Sequence, residues 1–460
     1  MASDDRDVLA EFRSEFYRCL DRRADAGFEL TDAALCHDGP VSTLVGLSLA
    51  GEHRRGHGAL YDAVNCGSID IARLRRVLTA LPLPRDGAGR ILLAVDVSNW
   101  LRPDAATSPD RLFCHTYARG KGQAQMIPGW PYSFVAALES GRTSWTRLLD
   151  AVRIGPHDDP TTVTAAQLRE VVDRLITAGQ WRAGDPDVVV VFDSGYDVTR
   201  LAWLLEDLPV ELVGRVRSDR VFCFDAPATV GGPGRPRRHG PEFKLADAAT
   251  WPDPPISTVT PTSRYGQATA DSWNRLHPRL THRGLWKGWP GPLPVIAGTV
   301  IRLSVEHLPG DRNPKPVWLW SSRTDLTSTD VDRLWQSYLR RFDLEHTFRF
   351  LKQTLGWTRP RITNPEAADH WTRLVIAAHT QLFLARGLAR DLKHPWEKSS
   401  APGRLTPARV RRGFRNLHRT LPPQASAPKP SRPGPGRPPG RRNRRPAPIH
   451  PCGKQTKKVK

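Results

Sequence analysis

Apolar positions along the chain follow a helical period at the N-terminus and a strand-like period further on. Residues 5–23 carry Leu9, Phe12, Phe16 and Leu20 at helical spacing, and residues 69–83 repeat this pattern. From residue 90 the apolar residues instead form short unbroken runs, which are typical of strands buried on both faces. The pattern predicts a helical domain over residues 1–85 and an α/β region after it.

Two of the apolar runs reach an acidic residue. Residues 90–99 contain one run that reaches Asp96, and residues 187–193 contain another that ends on Asp193. The same pattern predicts the following further elements: strands at residues 111–119, 132–139 and 211–217, and helices at residues 164–179 and 197–208. Three strands followed by helix, strand, helix and strand predict a mixed α/β sheet over residues 86–219.

The rest of the chain divides into three parts. Residues 220–325 are rich in proline and glycine with short apolar runs, which predicts a small β-rich insertion. The α/β layer resumes over residues 326–398, with one helix at residues 338–357 and another, strongly apolar, at residues 367–388. Residues 399–460 contain many Pro, Gly and Arg residues and few apolar ones, so we expect a disordered basic tail.

Charge is concentrated in that tail. The chain has a formal charge of +21, and residues 401–460 hold 17 of its 68 Lys and Arg residues and no Asp or Glu. The first 400 residues therefore carry 51 cations against 47 acids. A nearly balanced body with a basic tail favours a polyanion such as DNA as the partner, and DNA binding by the helical domain is plausible too. The alternatives are a tail that only maintains solubility and a helical bundle without a ligand.

Other features exclude several classes of protein. No run of eighteen apolar residues is present, so we expect no membrane span. The first residues are acidic and lack the apolar segment of a secretion signal. The six cysteines are scattered without a paired motif, which favours a reducing compartment. We therefore expect a cytoplasmic, nucleoid-associated protein.

Three acidic residues are the strongest candidates for chemistry. Asp96 and Asp193 are placed by the pattern at strand ends, where the sites of α/β sheets collect. Helical winding of residues 338–357 places Tyr338, Arg341, Glu345 and Lys352 within an arc of about 60°. Each acid also has a plainer interpretation, since Asp often caps a turn and Glu345 could lie on a solvated helix face.

Brought together, the three carboxylates could hold metal ions. Asp96, Asp193 and Glu345 offer hard oxygen ligands, which suit Mg²⁺ or Mn²⁺. Two such ions about 3.5–4 Å apart activate water and stabilise the leaving oxygen in phosphoryl transfer. We therefore expect a site with two divalent ions.

These residues resemble a known family. Asp96, Asp193 and Glu345 look like the Asp-Asp-Glu triad of ribonuclease-H-like transposases. The spacing of Tyr338, Arg341, Glu345 and Lys352 is similar to the Tyr-Arg-Glu-Lys signature of a large group of bacterial insertion-sequence transposases. Members of that group also carry a β-rich insertion before the Glu, and 152 residues separate Asp193 from Glu345 here. The resemblance covers roughly residues 85–390.

The resemblance implies roles for further residues. Arg341 and Lys352 would hold phosphates beside the scissile bond, and Tyr338 would contact the backbone of the transposon end. An insertion tryptophan would stack on a flipped base; the candidates are Trp286, Trp289, Trp318 and Trp320.

Two other groups of arginines are candidates for DNA binding from the residues alone. Arg215 and Arg217 alternate along a predicted strand that could line a DNA groove. Arg437 lies in a Pro-Gly-Arg-Pro segment that resembles the minor-groove core of an AT-hook.

The sequence thus predicts a DNA transposase that cleaves transposon ends and joins them to target DNA. We expect its partners to be DNA and, in the end complex, a second copy of the chain. One alternative is a ribonuclease-H-like nuclease without strand transfer. The other is a domesticated DNA-binding protein without catalysis.

Overall fold

The N-terminal part of the chain is helical, as its sequence pattern predicted. The computed structural model describes residues 2–117, 124–141, 143–227, 237–308, 314–401, 403–429 and 445–453. Its first elements are α1 (Ala2–Arg18), β1 (Leu20–Arg22), α2 (Ala24–Cys36), α3 (Leu44–Ser48), α4 (His57–Cys66), β2 (Ser68–Ile69) and α5 (Ile71–Ala80). The short strands β1 and β2 pair antiparallel.

The central α/β region follows. Its elements are β3 (Leu92–Leu101), β4 (Leu112–Tyr117), β5 (Ala124–Leu138), β6 (Thr146–Arg153), α6 (Pro160–Thr177), β7 (Val188–Phe192), α7 (Val198–Leu204) and β8 (Val210–Val216). Four strands precede α6 where the pattern predicted three. The additional strand is β6, whose charged residues Arg147, Asp150 and Arg153 disguise it in the sequence.

These strands form a mixed sheet. β3 pairs antiparallel with β5 and parallel with β7, β7 pairs parallel with β8, and β6 pairs antiparallel with β5. An antiparallel group of strands extended by two parallel strands is consistent with a ribonuclease-H-like fold.

The β-rich segment continues this sheet. It contains β9 (Val221–Asp225), β10 (His239–Lys244), β11 (Ile256–Thr262), β12 (Gly266–Pro278), β13 (Gly298–Val305) and β14 (Val317–Ser321). β14 pairs antiparallel with β8, so the strands β3 to β14 of the described residues form one sheet of 12 strands. The predicted strands are therefore present, but the segment is not a small separate unit.

Three helices complete this part of the fold: α8 (Ser328–Arg340), α9 (Phe342–Gln353) and α10 (Pro365–Leu384). Thr327 and Asp330 form a capping box at the start of α8. Asn364 caps α10, which has Pro365 in its first turn. Gly356, at φ 68°, reverses the chain after α9, and a Cβ there would lie 2.4 Å from the Val41 carbonyl oxygen.

The signature segment is not the single helix that its pattern predicted. The segment spans two successive helices, α8 and α9, which meet at Arg341, and the backbone there keeps right-handed helical angles (φ −53°, ψ −30°). Tyr338 therefore lies on α8, whereas Glu345 and Lys352 lie on α9. The side chain of Arg341 is buried and forms ion pairs with three carboxylates.

Alternate residues of the central strands pack on opposite faces of the sheet. Ala94 of β3 and Val191 of β7 join a hydrophobic cluster with α9, α10 and the N-terminal helices. Val95 and Phe192, their immediate neighbours, join a second cluster with α6 and α7. Odd and even positions along these strands therefore face different helical layers.

The prediction that residues 399–460 are disordered is wrong for part of this segment. Residues Pro407–His418 form α11, in which Val410 and Phe414 are fully buried. Val410, Phe414 and Leu417 recur at helical spacing, and they pack against α2 and α10. None of the helices in the described residues is long and apolar enough to cross a membrane.

Candidate active site

Asp96 and Asp193 lie side by side because of the parallel pairing of β3 and β7. The last pair in this register joins Val95 to Phe192, so the next position on each strand is an aspartate. Both residues have the parity of Ala94 and Val191, which face the helical layer that contains α9. The prediction that a strand ends at Asp96 is wrong, since β3 continues to Leu101 by pairing with β5.

Glu345 reaches the same place from the first turn of α9. Leu344 and Phe348 are buried on the sheet side of this helix, and Glu345 is left half exposed at its edge. Carboxylates are favourable in the first turn of a helix because the backbone N–H groups there are unpaired.

A single guanidinium joins the three acids. Arg341 Nη1 donates to Asp96 Oδ2 at 3.1 Å, and Nη2 lies 3.1 Å from Glu345 Oε1 and 3.8 Å from Asp193 Oδ1. Only 4 % of Arg341 is exposed, and its guanidinium also lies over the ring of Phe342 at 5.2 Å. The structure therefore brings the predicted acids together, with Arg341 as their common partner.

The carboxylates do not yet have the spacing of an occupied metal site. Among the described residues, they are not a group whose ligand atoms all lie within 4.8 Å of one another. Asp193 Oδ1 is buried and has no hydrogen-bond partner, and Asp96 Oδ1 accepts a hydrogen bond from the Val97 N–H at 2.8 Å. The three carboxylates therefore lie close together, but a single guanidinium does not balance their negative charge.

The pKa shifts of Asp96 and Arg341 reflect the excess of negative charge at this site. The pKa of Asp96 is raised to about 6, mainly by burial; Arg341 opposes this shift, and the negative charge of Asp193 contributes to it. For Arg341, burial acts to lower the pKa, but Asp193 and Asp96 outweigh it and the net direction is upward. One cation among three acids leaves the site short of positive charge.

Tyr338 and Lys352 flank the acids. Tyr338 is 3 % exposed and its ring lies 5.9 Å from the Arg341 guanidinium. Lys352 Nζ lies 5.7 Å from the ring of Trp357, and burial lowers the pKa of Lys352 while Asp96 acts in the opposite direction. Contacts of Tyr338, Arg341 and Lys352 with DNA stay predictions, and Tyr338 and Arg341 have little exposed surface in this structure.

The arginines on β8 lie near the loop that follows Asp193. Arg215 and Arg217 are exposed, and Arg217 pairs with Asp219. Both line a cavity of about 50 Å³ together with Ser194 and Tyr196. Their predicted contact with DNA is not tested by this arrangement. Arg437 lies outside the described residues.

The insertion tryptophans are mostly core residues. Trp286, Trp318 and Trp320 are buried, with exposed fractions of 9 %, 4 % and 0 %. Trp289 is partly exposed and packs against Trp203 and Trp286. Of the four, Trp289 keeps the most accessible ring for stacking.

The sequence interpretation passed over Tyr196. Its ring packs on Phe192 with centroids 5.3 Å apart, and its backbone N–H donates to the Asp193 carbonyl oxygen at 3.2 Å. Burial first, and then the charge of Asp96, raises the pKa of Tyr196 well above its usual value. Its position three residues after Asp193 was the available signal.

Comparison with known families assigns this site to a class. A family model described as DDE superfamily endonuclease matches residues 15–279, which is more than half of the chain and includes Asp96 and Asp193. The chain belongs to the DDE superfamily endonuclease family. This membership supports an enzyme that acts on DNA, in a family that generally uses divalent metal ions. No curated protein matches the chain significantly.

Proposed function

We propose that the chain is a DNA transposase that cleaves transposon ends and transfers them to target DNA. The observation that carries the proposal is the meeting of Asp96, Asp193 and Glu345 around Arg341. The family match covers the two aspartates and ends before Glu345, so the third acid rests on its place in the structure. Nuclease chemistry follows from the family, and strand transfer is the additional step proposed.

The residues fit divalent metal ions. All the donors are carboxylate oxygens, which Mg²⁺ and Mn²⁺ prefer. Asp193 Oδ1 is buried without a partner, and one guanidinium faces three acids. Asp96, Asp193 and Glu345 would hold two ions, which would supply an activated water and stabilise the leaving oxygen. Binding would require the Arg341 guanidinium to withdraw from between the acids.

Arg341 then has two successive tasks in this proposal. In the free protein it neutralises part of the acid cluster and holds the three side chains together. Displaced from the carboxylates, its planar fork becomes available for a phosphate of the DNA end. The ring of Tyr338 packs beside the guanidinium and would guide this movement.

Other cations would position the DNA. Lys352 lies two helical turns beyond Glu345 on α9, where a point charge could hold a phosphate next to the acids. Arg215 and Arg217 extend the positive surface along β8, beyond Asp193. Arg437 in the tail would add a groove contact. A second copy of the chain would complete the end complex.

The test is a cleavage and joining assay. DNA flanking the gene, labelled at its end, is incubated with the full chain in Mg²⁺, and in Ca²⁺ as a binding control. We expect nicks at the element boundary and joined products in Mg²⁺. Glu345→Gln should abolish both, because the amide lacks the anionic oxygen. Glu206→Gln, an exposed glutamate away from the site, is the matched control.

The possible outcomes separate the three readings of the site. Nicks without joined products would identify a nuclease. Binding without nicks in Mg²⁺ or Mn²⁺ would identify a non-catalytic DNA-binding protein. Cleavage that Glu345→Gln leaves unchanged would show that the acid cluster is not the active site.

A further inference from the structure

A second group of metal-ligating side chains lies on elements other than those of the three acids, where α11 packs on α2. Cys36 is the last residue of α2, Glu52 follows α3, and His418 is the last residue of α11. One ligand atom from each of them lies within 4.8 Å of the others. Residues that are distant in sequence are thus brought together by the packing of α11 on α2.

The carboxylate of Glu52 has one oxygen in use and one without a partner. Arg415 Nε donates to Glu52 Oε1 at 3.1 Å, which fixes the side chain. Glu52 Oε2 is buried and makes no hydrogen bond, and only 12 % of the side chain is exposed. A buried carboxylate oxygen without a hydrogen-bond donor is unfavourable, and a cation bound to Glu52 Oε2 would remove this cost.

The imidazole of His418 is oriented as a metal ligand would be. Its Nε2 lies 3.0 Å from Asp32 Oδ2. Asp32 is itself held by Arg13, whose two terminal nitrogens donate to its oxygens at 2.7 and 2.9 Å. A carboxylate that accepts from one ring nitrogen leaves the other with a free lone pair, as is usual for histidines that bind metals.

Cys36 supplies the softest of the three donors. It is buried, with 2 % of its surface exposed, and it forms no disulfide. Sulfur, imidazole nitrogen and carboxylate oxygen are together the ligand set of zinc, whereas Mg²⁺ and Ca²⁺ take oxygen ligands.

We propose that Cys36, Glu52 and His418 bind one Zn²⁺ ion that fastens α11 to the N-terminal helices. Three protein ligands leave a fourth position for water. An open cavity of about 560 Å³, lined in part by Glu52, His37 and Arg415, gives the ion and this water a route from solvent. When the sulfur–zinc bond forms, the Cys36 thiol gives up its proton to solvent.

The site is independent of the proposed transposase chemistry. Its ligands lie on α2, α11 and the segment after α3, and the three acids lie on β3, β7 and α9. Cys36 lies on α2 and His418 lies on α11, and neither belongs to the large sheet. A zinc ion bound to both would therefore hold α11 against α2. The ion would support folding of this layer rather than phosphoryl transfer.

Cobalt absorption tests the proposal on the full chain. Co²⁺ replaces Zn²⁺ in such sites, and a cobalt–thiolate bond has a charge-transfer absorption that carboxylate sites lack. We expect one equivalent of Co²⁺ to produce this absorption and Zn²⁺ to remove it. Cys36→Ser and Cys36→Ala should both abolish it. Cys66→Ser, at an exposed cysteine on α4, should leave it unchanged.

Further variants keep the test decisive if a Cys36 variant fails to fold. Glu52→Gln and His418→Asn should retain the thiolate absorption but bind Co²⁺ at least tenfold more weakly. Zn²⁺ should raise the melting temperature of the wild type and of Cys66→Ser more than that of Glu52→Gln.

Two results would overturn the proposal. One is the absence of thiolate absorption in the wild type at saturating Co²⁺. The other is unchanged Co²⁺ affinity in folded Glu52→Gln and His418→Asn variants, which would mean that the thiolate is not part of this site.

Discussion

Arg341 Nη1 lies 3.1 Å from Asp96 Oδ2, although 245 residues separate the two in the sequence. The same side chain reaches Glu345 one helical turn further on. Arg341 is therefore a structural cation for the acid cluster before any substrate arrives, and this role can be measured without DNA.

Replacing Arg341 by alanine should destabilise the metal-free protein. The variant leaves three acids facing one another without their common cation, and removing one partner of a buried charge pair costs about 3 kcal/mol. Mg²⁺ or Ca²⁺ should raise the melting temperature of Arg341→Ala more than that of the wild type, because the ion no longer competes with the guanidinium. Thermal melts with and without each ion provide the measurement.

The control for this experiment is Arg349→Ala, an exposed arginine on α9. It should melt as the wild type does, with the same response to metal. Equal metal responses in Arg341→Ala and the wild type would show that the guanidinium does not occupy the place of an ion.

Glu345→Gln and Lys352→Ala should separate catalysis from DNA binding on α9. The first removes an anionic oxygen, so Mg²⁺-dependent nicking should be lost while DNA affinity in Ca²⁺-free buffer is retained or rises. The second removes a cation and leaves the three acids in place. It should weaken binding of the transposon end, with nicking restored at saturating protein. Gel-shift and nicking assays on one labelled end measure both effects.

The expectation for these two variants is opposite in sign, so one variant serves as the control for the other. Normal nicking by Glu345→Gln would contradict the proposed role of the acid. Unchanged end binding by Lys352→Ala would assign Lys352 to packing against Trp357 alone.

His379 should make the fold sensitive to acid. It is 1 % exposed in α10, neither ring nitrogen has a hydrogen-bond partner, and burial lowers the pKa of His379 to about 3. Below pH 6.5 the unfolded chain takes up a proton that the folded chain does not, so stability falls as pH decreases. At pH 5 this loss amounts to about 2 kcal/mol.

His379→Leu should remove that loss. The difference in unfolding free energy between the variant and the wild type should grow as pH falls from 7 to 5, measured by urea unfolding at each pH. A constant difference between His379→Leu and the wild type across this range would mean that His379 is protonated in the folded state.

Phe414→Ala should destabilise the protein by about 3–5 kcal/mol, since this ring is fully buried between α11 and the helices beneath it. Asn416→Ala, exposed on the same helix, should change stability by less than about 0.5 kcal/mol. Urea unfolding compares the two. Equal stability of both variants would restore the prediction that this part of the tail is disordered.

The sequence predicted most of the elements because the periodicities of buried strands and helices are local. The two aspartates were found at apolar runs that also proved to be neighbouring strands, β3 and β7. Their parity with Ala94 and Val191 would have placed both on the α9 side of the sheet, had the register been known. The register depends on how the two strands pair and cannot be predicted from the sequence of either strand alone.

The structure differs from the sequence predictions in two segments, residues 338–357 and residues 399–460. The pattern of residues 338–357 predicts one helix, whereas the structure has two helices that meet at Arg341, and this residue pairs with Asp96 and Asp193 from the sheet. The overall composition of residues 399–460 predicts disorder. It conceals the apolar stripe of Val410, Phe414 and Leu417 in the arginine-rich helix α11. The packing of α11 against α2 and α10 is a long-range contact, which the local pattern of residues 399–460 does not contain.

The strands of the β-rich segment also form the support of α8. The hydroxyls of Thr258 and Thr260 on β11 donate to Asp332 of α8 at 2.6 and 2.9 Å, and α8 leads directly into Arg341. A chimera that exchanged only the strands would break this support and shift the guanidinium between the acids. Recombination between related enzymes should therefore preserve the strands together with α8, as a single inherited block from β9 to Arg340.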